Sequence, residues 1–338
     1  MLPNALKATP SPVFTKIIST GSYLPEKILT NDDLSKFVDT SDEWIRSRSG
    51  IQSRHIAADG EETSDLAVMA AKRALEGAGL AATDIDLIVV ATTTPDVVFP
   101  STACIVQDKL GAKNAAAFDI QAACTGFVYG LTTAAQFIMT GKYKNVLVVG
   151  SEVLSKVTDW QDRNTCILFG DGAGAVVVSQ VQKGGITTSF LGADGSGANL
   201  LELPAGGTKE PADYDTVKNR RHYIKMNGNE VFKFAVKVFE SSTRRVVEKA
   251  NLTLDDIDLI IPHQANIRII DAAVRRLKFP IERVMVNLDK YGNMSSASIP
   301  VAMHEAVRMG KIKKGDKIIL VAFGAGLTWG AVLIEWNL

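Results

Sequence analysis

The chain has 338 residues, 46% of them hydrophobic and 22% charged, with Lys+Arg and Asp+Glu both at 37. That composition fits one large α/β body or two domains, and supplies no net field to draw in nucleic acid or an anionic membrane. Cys104, Cys124 and Cys166 have no ligand-like spacing, which argues against a disulfide framework and a zinc site and for a reducing, cytoplasmic compartment.

In chain order, Met1–Pro12 has no apolar run and does not read as a signal peptide, and no later stretch reaches the ~18 apolar residues of a membrane span. Ser64–Ala78 has helical spacing, and Ile85–Thr94 and Asn145–Gly150 read as buried strands of a largely parallel sheet. Ala116–Ile120 is strand-like and Gly126–Met139 helical, which leaves Cys124 at a strand–turn–helix junction. Gly170–Gly174 (GDGAG) lacks the Lys-Ser/Thr of a P-loop, so close backbone approach is the better reading. Ala205–Arg221 is a polar insertion expected as an irregular surface loop. Asn229–Lys249 and Asn266–Lys278 are amphipathic, and their polar faces carry Lys233, Lys237, Arg244, Arg268 and Arg275.

The string DIDLI occurs at Asp84–Ile88 and again at Asp256–Ile260, 256 − 84 = 172 positions later. Gly141-Lys142 and Gly310-Lys311, each ahead of an apolar strand, are separated by 310 − 141 = 169. Agreement of order and offset predicts an internal duplication, with halves 1–182 and 183–338. The second offset carries Cys124 to 124 + 169 = 293, which is Asn293, in the turn before MSSASIP.

A helix N-terminus has unpaired N–H donors and partial positive charge, which stabilise a thiolate and an oxyanion. A free Cys can equally be a small buried hydrophobe, and for Cys124 both readings stay open on position alone; for Cys104 and Cys166 the buried hydrophobe is expected. His263 follows the second DIDLI strand (LIIPHQAN), at the edge where open α/β sheets keep their sites. His55 and His222 have polar surroundings, and His304 reads as an ordinary helical position.

Around these residues, AACTGFVYGL, PHQANIRII, KYGNMSSASIP and FGAGLTWGA resemble β-ketoacyl-acyl carrier protein synthase III, the initiating condensing enzyme of bacterial type II fatty acid synthesis. TSDEWIRSRSGI, DRNTCILFGDGAGA and MNGNEVFKFAV extend the resemblance from about Lys16 to Leu338. It implies a duplicated thiolase-like α/β fold in five layers (αβαβα), usually a homodimer, and a ping-pong reaction. Cys124 would take an acyl group from acyl-CoA and pass it to the carbanion of decarboxylating malonyl-carrier protein. His263 and Asn293 would steady the enolate as neutral donors, and the N–H groups of Cys124 and Ala325 would form the oxyanion hole.

The resemblance further implies that Trp44 and Arg48 sandwich the CoA adenine, with Arg163 opposite. Gly228, Phe232 and Asn266 would line the pantetheine arm. Phe99, Leu154 and Phe169 would bound the acyl pocket, Phe99 from across the dimer. Lys233, Lys237, Arg268 and Arg275 would dock the acidic carrier, although a basic stripe is also what any solvated helix face carries. No metal or redox cofactor is implied; the CoA thioester is a substrate. Met294, where the family commonly has Thr, and Ala325, in a glycine run, depart from the pattern. A distortion of the oxyanion hole is expected if position 325 needs a positive φ. Two competing classes are a related synthase of secondary metabolism with a different acceptor and an inactive thiolase-like structural partner. The intact Cys/His/Asn set counts against the latter.

Overall fold

Side chains alternate along the strand Leu87–Ala91: Leu87 and Val89 enter one core, Ile88 and Val90 another. A strand buried on both faces belongs to a sheet covered on both sides. The computed structural model describes residues 14–337, so the stretch Met1–Pro12 lies outside it. It holds a five-stranded sheet in the order Phe14–Tyr23, Asp171–Val181, Asn145–Val153, Leu87–Ala91, Ala116–Ile120. A four-stranded sheet follows in the order Leu259–Pro262, Lys317–Gly324, Thr328–Glu335, Gly185–Ala193.

Helices Gly126–Met139 and Ser298–Arg308 lie between the sheets. Their apolar faces (Phe127, Leu131, Ile138; Ile299, Met303) pack with Val146 and Val176 of one sheet and Leu320 and Val332 of the other. Thr63–Ala78 covers the outer face of the first sheet through Leu66, Ala70 and Ala74. Gly228–Lys249 and Ile267–Leu277 cover the second through Val236, Phe239, Ile270 and Val274. The layers therefore run αβαβα. Among the described residues no helix is long and apolar enough to cross a membrane.

The sheets are mixed rather than largely parallel. Leu87–Ala91 runs parallel to both its neighbours, and Leu259–Pro262 is parallel to Lys317–Gly324. The other pairings are antiparallel. Gly324 pairs with Thr328, so Lys317–Gly324 returns as a hairpin; a parallel return needs a crossover helix, and the chain has none there.

Equivalent elements recur at one offset. The 3₁₀ turns Ala123–Thr125 and Ser295–Ala297 differ by 295 − 123 = 172, the following helices by 298 − 126 = 172, and the strands from Asn145 and Lys317 by 317 − 145 = 172. The shorter offset holds only at the helix ends, 308 − 139 = 169, because the second helix has 11 residues against 14. The loop after it restores the register. Cys124 therefore corresponds to Ser296 (124 + 172), and Asn293 to Gln121 (293 − 172). The equivalence of Cys124 with Asn293 expected from the sequence is corrected: the offset of 169 arises after the shorter helix end and does not apply to the turn before the helix.

Candidate active site

Cys124 sits in a 3₁₀ turn that leads into the helix Gly126–Met139. Ala123 before it has φ 46°, and Ser295 at the equivalent place has φ 45°. A left-handed residue other than glycine costs ~1–3 kcal/mol and persists where the surroundings enforce it. Here it lies in the turn that carries Cys124 just beyond the end of the strand Ala116–Ile120.

His263 extends the strand Leu259–Pro262 by one bond, its N–H donating to the Val321 carbonyl at 2.8 Å. Its ring packs edge-on against Phe323, and Nδ1 has no hydrogen-bond partner among the described residues. Asn293 is tied by its backbone to Leu168 and Gly170, at 2.8 and 3.0 Å. Its side-chain oxygen accepts the Ser295 N–H at 2.8 Å. That bond fixes the amide orientation and leaves the NH₂ group free to donate.

Cys124, His263 and Asn293, which lie far apart in the sequence, line one cavity of about 410 Å³. Trp44, Arg48, Phe169, Gly228, Phe232 and Asn266 line it as well. Cys124 also borders a second space of about 1100 Å³ with Leu154, Phe169, Ser295 and Ala325. Cys124 thus borders two chambers, one edged by Trp44 and Arg48 and the other by Leu154 and Ala325, with Phe169 lining both. Part of the insertion 205–221 edges the second chamber through Ala205, Gly206 and Gly207, and Tyr214–Lys218 within it is a short helix rather than irregular loop.

Burial pushes the Cys124 thiol up to about 12; a hydrogen bond from the Ser295 hydroxyl opposes the shift and the Glu152 charge adds to it. This reverses the lowered value expected from the helix terminus, because desolvation without a nearby cation outweighs the dipole. Burial likewise pushes His263 down to about 3, so the imidazole is neutral at physiological pH. Cys166 is buried as expected, but Cys104 is exposed in the helix Thr102–Leu110.

The other expected positions divide. Both guanidinium groups lie over the Trp44 ring, Arg163 at 4.7 Å and Arg48 at 5.8 Å. The nearer stacking partner is therefore Arg163, which was expected opposite a Trp44–Arg48 sandwich. Asn266 spends its side chain on structure: its oxygen caps Arg268 N at 2.9 Å, and its nitrogen donates to the Arg48 carbonyl at 3.0 Å. Phe99 is 84% exposed and lines neither chamber of its own chain. Lys233, Lys237, Arg268 and Arg275 are all exposed; Lys233 pairs with Glu230, and the other three form no ion pair among the described residues.

Neither departure disturbs the site. The positive φ near Ala325 falls on Gly326 (131°), so the Cβ of Ala325 meets no backbone conflict. Met294 is buried with Ala297 and Val301, where its sulfur fills the room beside Gly172. Gly172 and Gly174 admit no Cβ without a clash against residues 294, 300 or 301, which is the close approach expected of GDGAG.

Sequence reasoning missed three residues. Gln264 donates to the Pro262 and Met285 carbonyls and accepts from Asn287 N–H at 3.0 Å, bracing the chain beyond His263. Ser295 orients Asn293. Glu152 is a fully buried carboxylate within NVLVVGSEV, and a charge inside an apolar strand was the available signal.

Among the described residues no cluster of His, Cys, Asp or Glu could hold a metal ion. Residues 118–202 match the family described as 3-Oxoacyl-[acyl-carrier-protein (ACP)] synthase III, and residues 247–336 match its C-terminal counterpart. The chain is 61% identical over 322 residues to the beta-ketoacyl-[acyl-carrier-protein] synthase III of Caldanaerobacter subterraneus subsp. tengcongensis, covering 95% of this chain and 97% of that protein. It is 56% identical to the Clostridioides difficile protein of the same name, with coverage of 95% and 98%. The crystal structure of 3-oxoacyl-[acyl-carrier-protein] synthase III from Aquifex aeolicus superposes with a TM-score of 0.88 at 52% identity, over 95% of this chain and 100% of that one. The chain belongs to the β-ketoacyl-[acyl-carrier-protein] synthase III family of condensing enzymes.

Proposed function

We propose that Cys124 carries the acyl group between two half-reactions, transfer from an acyl-CoA primer and decarboxylative condensation with malonyl-acyl carrier protein. The observation that carries this reading is the cavity shared by Cys124, His263 and Asn293. In the first half-reaction the Cys124 sulfur attacks the thioester carbonyl. The oxyanion is held by the N–H groups of Cys124 and Ala325, and CoA leaves as its thiol. Because the thiol is protonated at rest, its proton must travel; the neutral His263 imidazole in the same cavity is the group able to relay it to the departing sulfur.

In the second half-reaction the malonyl C–CO₂ bond breaks and its electron pair becomes an enolate. An N–H from His263 and the NH₂ of Asn293 hold the enolate oxygen. The carbanionic carbon attacks the acyl carbonyl, a C–C bond forms, and Cys124 leaves and is reprotonated. The Trp44 ring, which lines the cavity and is stacked by Arg163, offers a platform for the CoA adenine. The basic residues Lys233, Lys237, Arg268 and Arg275 suit an acidic carrier protein.

A homodimer is part of the reading. Among the described residues Ala116–Ile120 is an edge strand paired on one side only, and Val98 and Phe99 are 86% and 84% exposed. A second copy would pair that edge and cover those side chains, carrying Phe99 into the neighbouring acyl chamber. A cytoplasmic location follows from the same reading.

The test is mass spectrometry of the chain incubated with acetyl-CoA. An acetyl increment on the Cys124 peptide, discharged as a 3-ketoacyl product by malonyl-carrier protein, supports the assignment. An increment on the exposed Cys104 instead, or none at all, overturns it.

A further inference from the structure

The two halves carry equivalent turns, and only one of them opens into a cavity that His263 and Asn293 share. At the 172-residue offset, His263 corresponds to Ala91 (263 − 172), Gly324 to Glu152 (324 − 172) and Cys124 to Ser296. Each turn is thus approached by the end of one strand. Against Cys124 that strand presents Gly324, whose missing side chain leaves room around the sulfur. Against Ser296 it presents Glu152, which fills the equivalent space.

Glu152 is fully buried and accepts from both halves. One carboxylate oxygen takes the Thr94 hydroxyl at 2.7 Å, the Thr93 hydroxyl and N–H at 3.0 Å, and the Thr92 hydroxyl at 3.3 Å. The other lies 2.9 Å from the Ser296 hydroxyl and 3.5 Å from its N–H. Ser296 Oγ is also 2.7 Å from the Ala91 carbonyl. Its single hydrogen is shared between two acceptors that both belong to the first half. Immediately before Ser296 stands Ser295, whose N–H orients Asn293 two residues further back.

We propose that Glu152 is a positioning residue for condensation. Through Ser296 it clamps the turn that carries Asn293 against the half that carries Cys124, and so sets how the two groups meet one substrate. The clamp rests on the roles given above to Cys124 and Asn293. It predicts a split between the half-reactions. Acyl transfer uses Cys124, the N–H groups of Cys124 and Ala325 and the His263 imidazole, none of which lies on the clamped turn, although the Ser295 hydroxyl of that turn touches the thiol. Condensation needs the Asn293 amide in register with the acylated sulfur, where displacement of about 1 Å costs on the order of 100-fold.

The experiment follows both half-reactions in the full-length protein, as mass gain on Cys124 from acetyl-CoA and then as discharge of the isolated acyl-enzyme by malonyl-carrier protein. Ser296→Ala should slow discharge per acylated site by roughly 10- to 100-fold while acyl transfer stays near wild type, and Glu152→Ala should slow discharge by as much without slowing acyl transfer, since the lost charge had held the thiol up. Glu152→Gln should recover most of the discharge rate, since its amide oxygen can accept from the threonines and its NH₂ can donate to Ser296. Should Glu152→Ala fail to fold, Ser296→Ala carries the test, because it deletes one oxygen and leaves the threonine bonds intact. A parallel fall in both half-reactions, or no change in discharge, overturns the clamp. A wild-type chain that never acylates on Cys124 overturns the reading beneath it, and the clamp as well.

Discussion

Gly324 lies against the nucleophile so closely that a Cβ on it would stand 2.8 Å from the backbone nitrogen of Cys124 and 3.0 Å from its Cβ. That nitrogen is the one assigned to the oxyanion hole, so the glycine keeps open the space where negative charge develops. Gly324→Ala is compatible with the strand backbone but must push the turn away. Acyl transfer from acetyl-CoA, followed by intact mass, should fall on the order of 100-fold. The melting temperature should move by only a few degrees. An unchanged transfer rate would mean that this nitrogen does not serve the reaction.

The buried thiol makes a second prediction, about pH. With Cys124 pushed up to about 12, its thiolate fraction grows tenfold per pH unit throughout the working range. Iodoacetamide labelling of Cys124 in the free protein should therefore keep rising from pH 7 to about pH 10 with no plateau. The low-pKa nucleophile that a helix terminus alone would produce levels off near neutrality. Labelling resolved by peptide separates Cys124 from the exposed Cys104.

How far the sequence could be read depended on which interactions are local. The junction at Cys124, the strand end at His263 and the small-residue turn before Ser298 were legible because hydrophobic period and turn chemistry are local properties. The strand directions were not, because hairpin or crossover is decided by how the chain returns after Val153 and Gly324. The register of the two halves was read correctly from DIDLI and wrongly at Asn293, since a shortened helix end and a lengthened loop cancel and leave no trace in composition. The Cys124 thiol was misjudged for a related reason: a helix N-terminus is visible in sequence, whereas the burial that overrides it depends on residues such as Gly324 that pack against it from elsewhere in the chain. Glu152 and Ser295 were passed over because their meaning lies in what they touch across the halves.

The burial of His263 ties stability to pH. Its folded value of about 3 lies below the unfolded value near 6.5, so at pH 7 both states are neutral and the residue costs nothing through protonation. As pH falls below about 6.5 the unfolded chain gains a proton that the native protein refuses, and stability is lost until about pH 3. At pH 5 the loss is about 2 kcal/mol for this group. His263→Gln should remove that component, so that urea denaturation shows a smaller drop between pH 7 and pH 5 than in the wild type. Equal drops in the two proteins would show that the imidazole is protonated in the native state.

Arg268 tests the carrier surface separately from the chemistry. It stands two residues beyond the helix cap Asn266, is exposed, and lies 5.9 Å from the centre of the Phe232 ring that lines the cavity. An acidic partner whose arm enters beside Phe232 would pass this guanidinium on the way in. Reversal to Glu leaves Cys124 and the cavity floor untouched but opposes the partner's charge. The KM for malonyl-carrier protein should rise by roughly tenfold at low ionic strength, with the difference shrinking as salt screens the surface. Acyl transfer from acetyl-CoA should stay near the wild-type rate, since the Trp44 platform proposed for CoA is stacked by Arg163 and Arg48 and not by Arg268. A salt-independent effect, or an equal effect on both half-reactions, would assign Arg268 to packing on Phe232 instead of docking, because only a long-range charge contact is screened by ions.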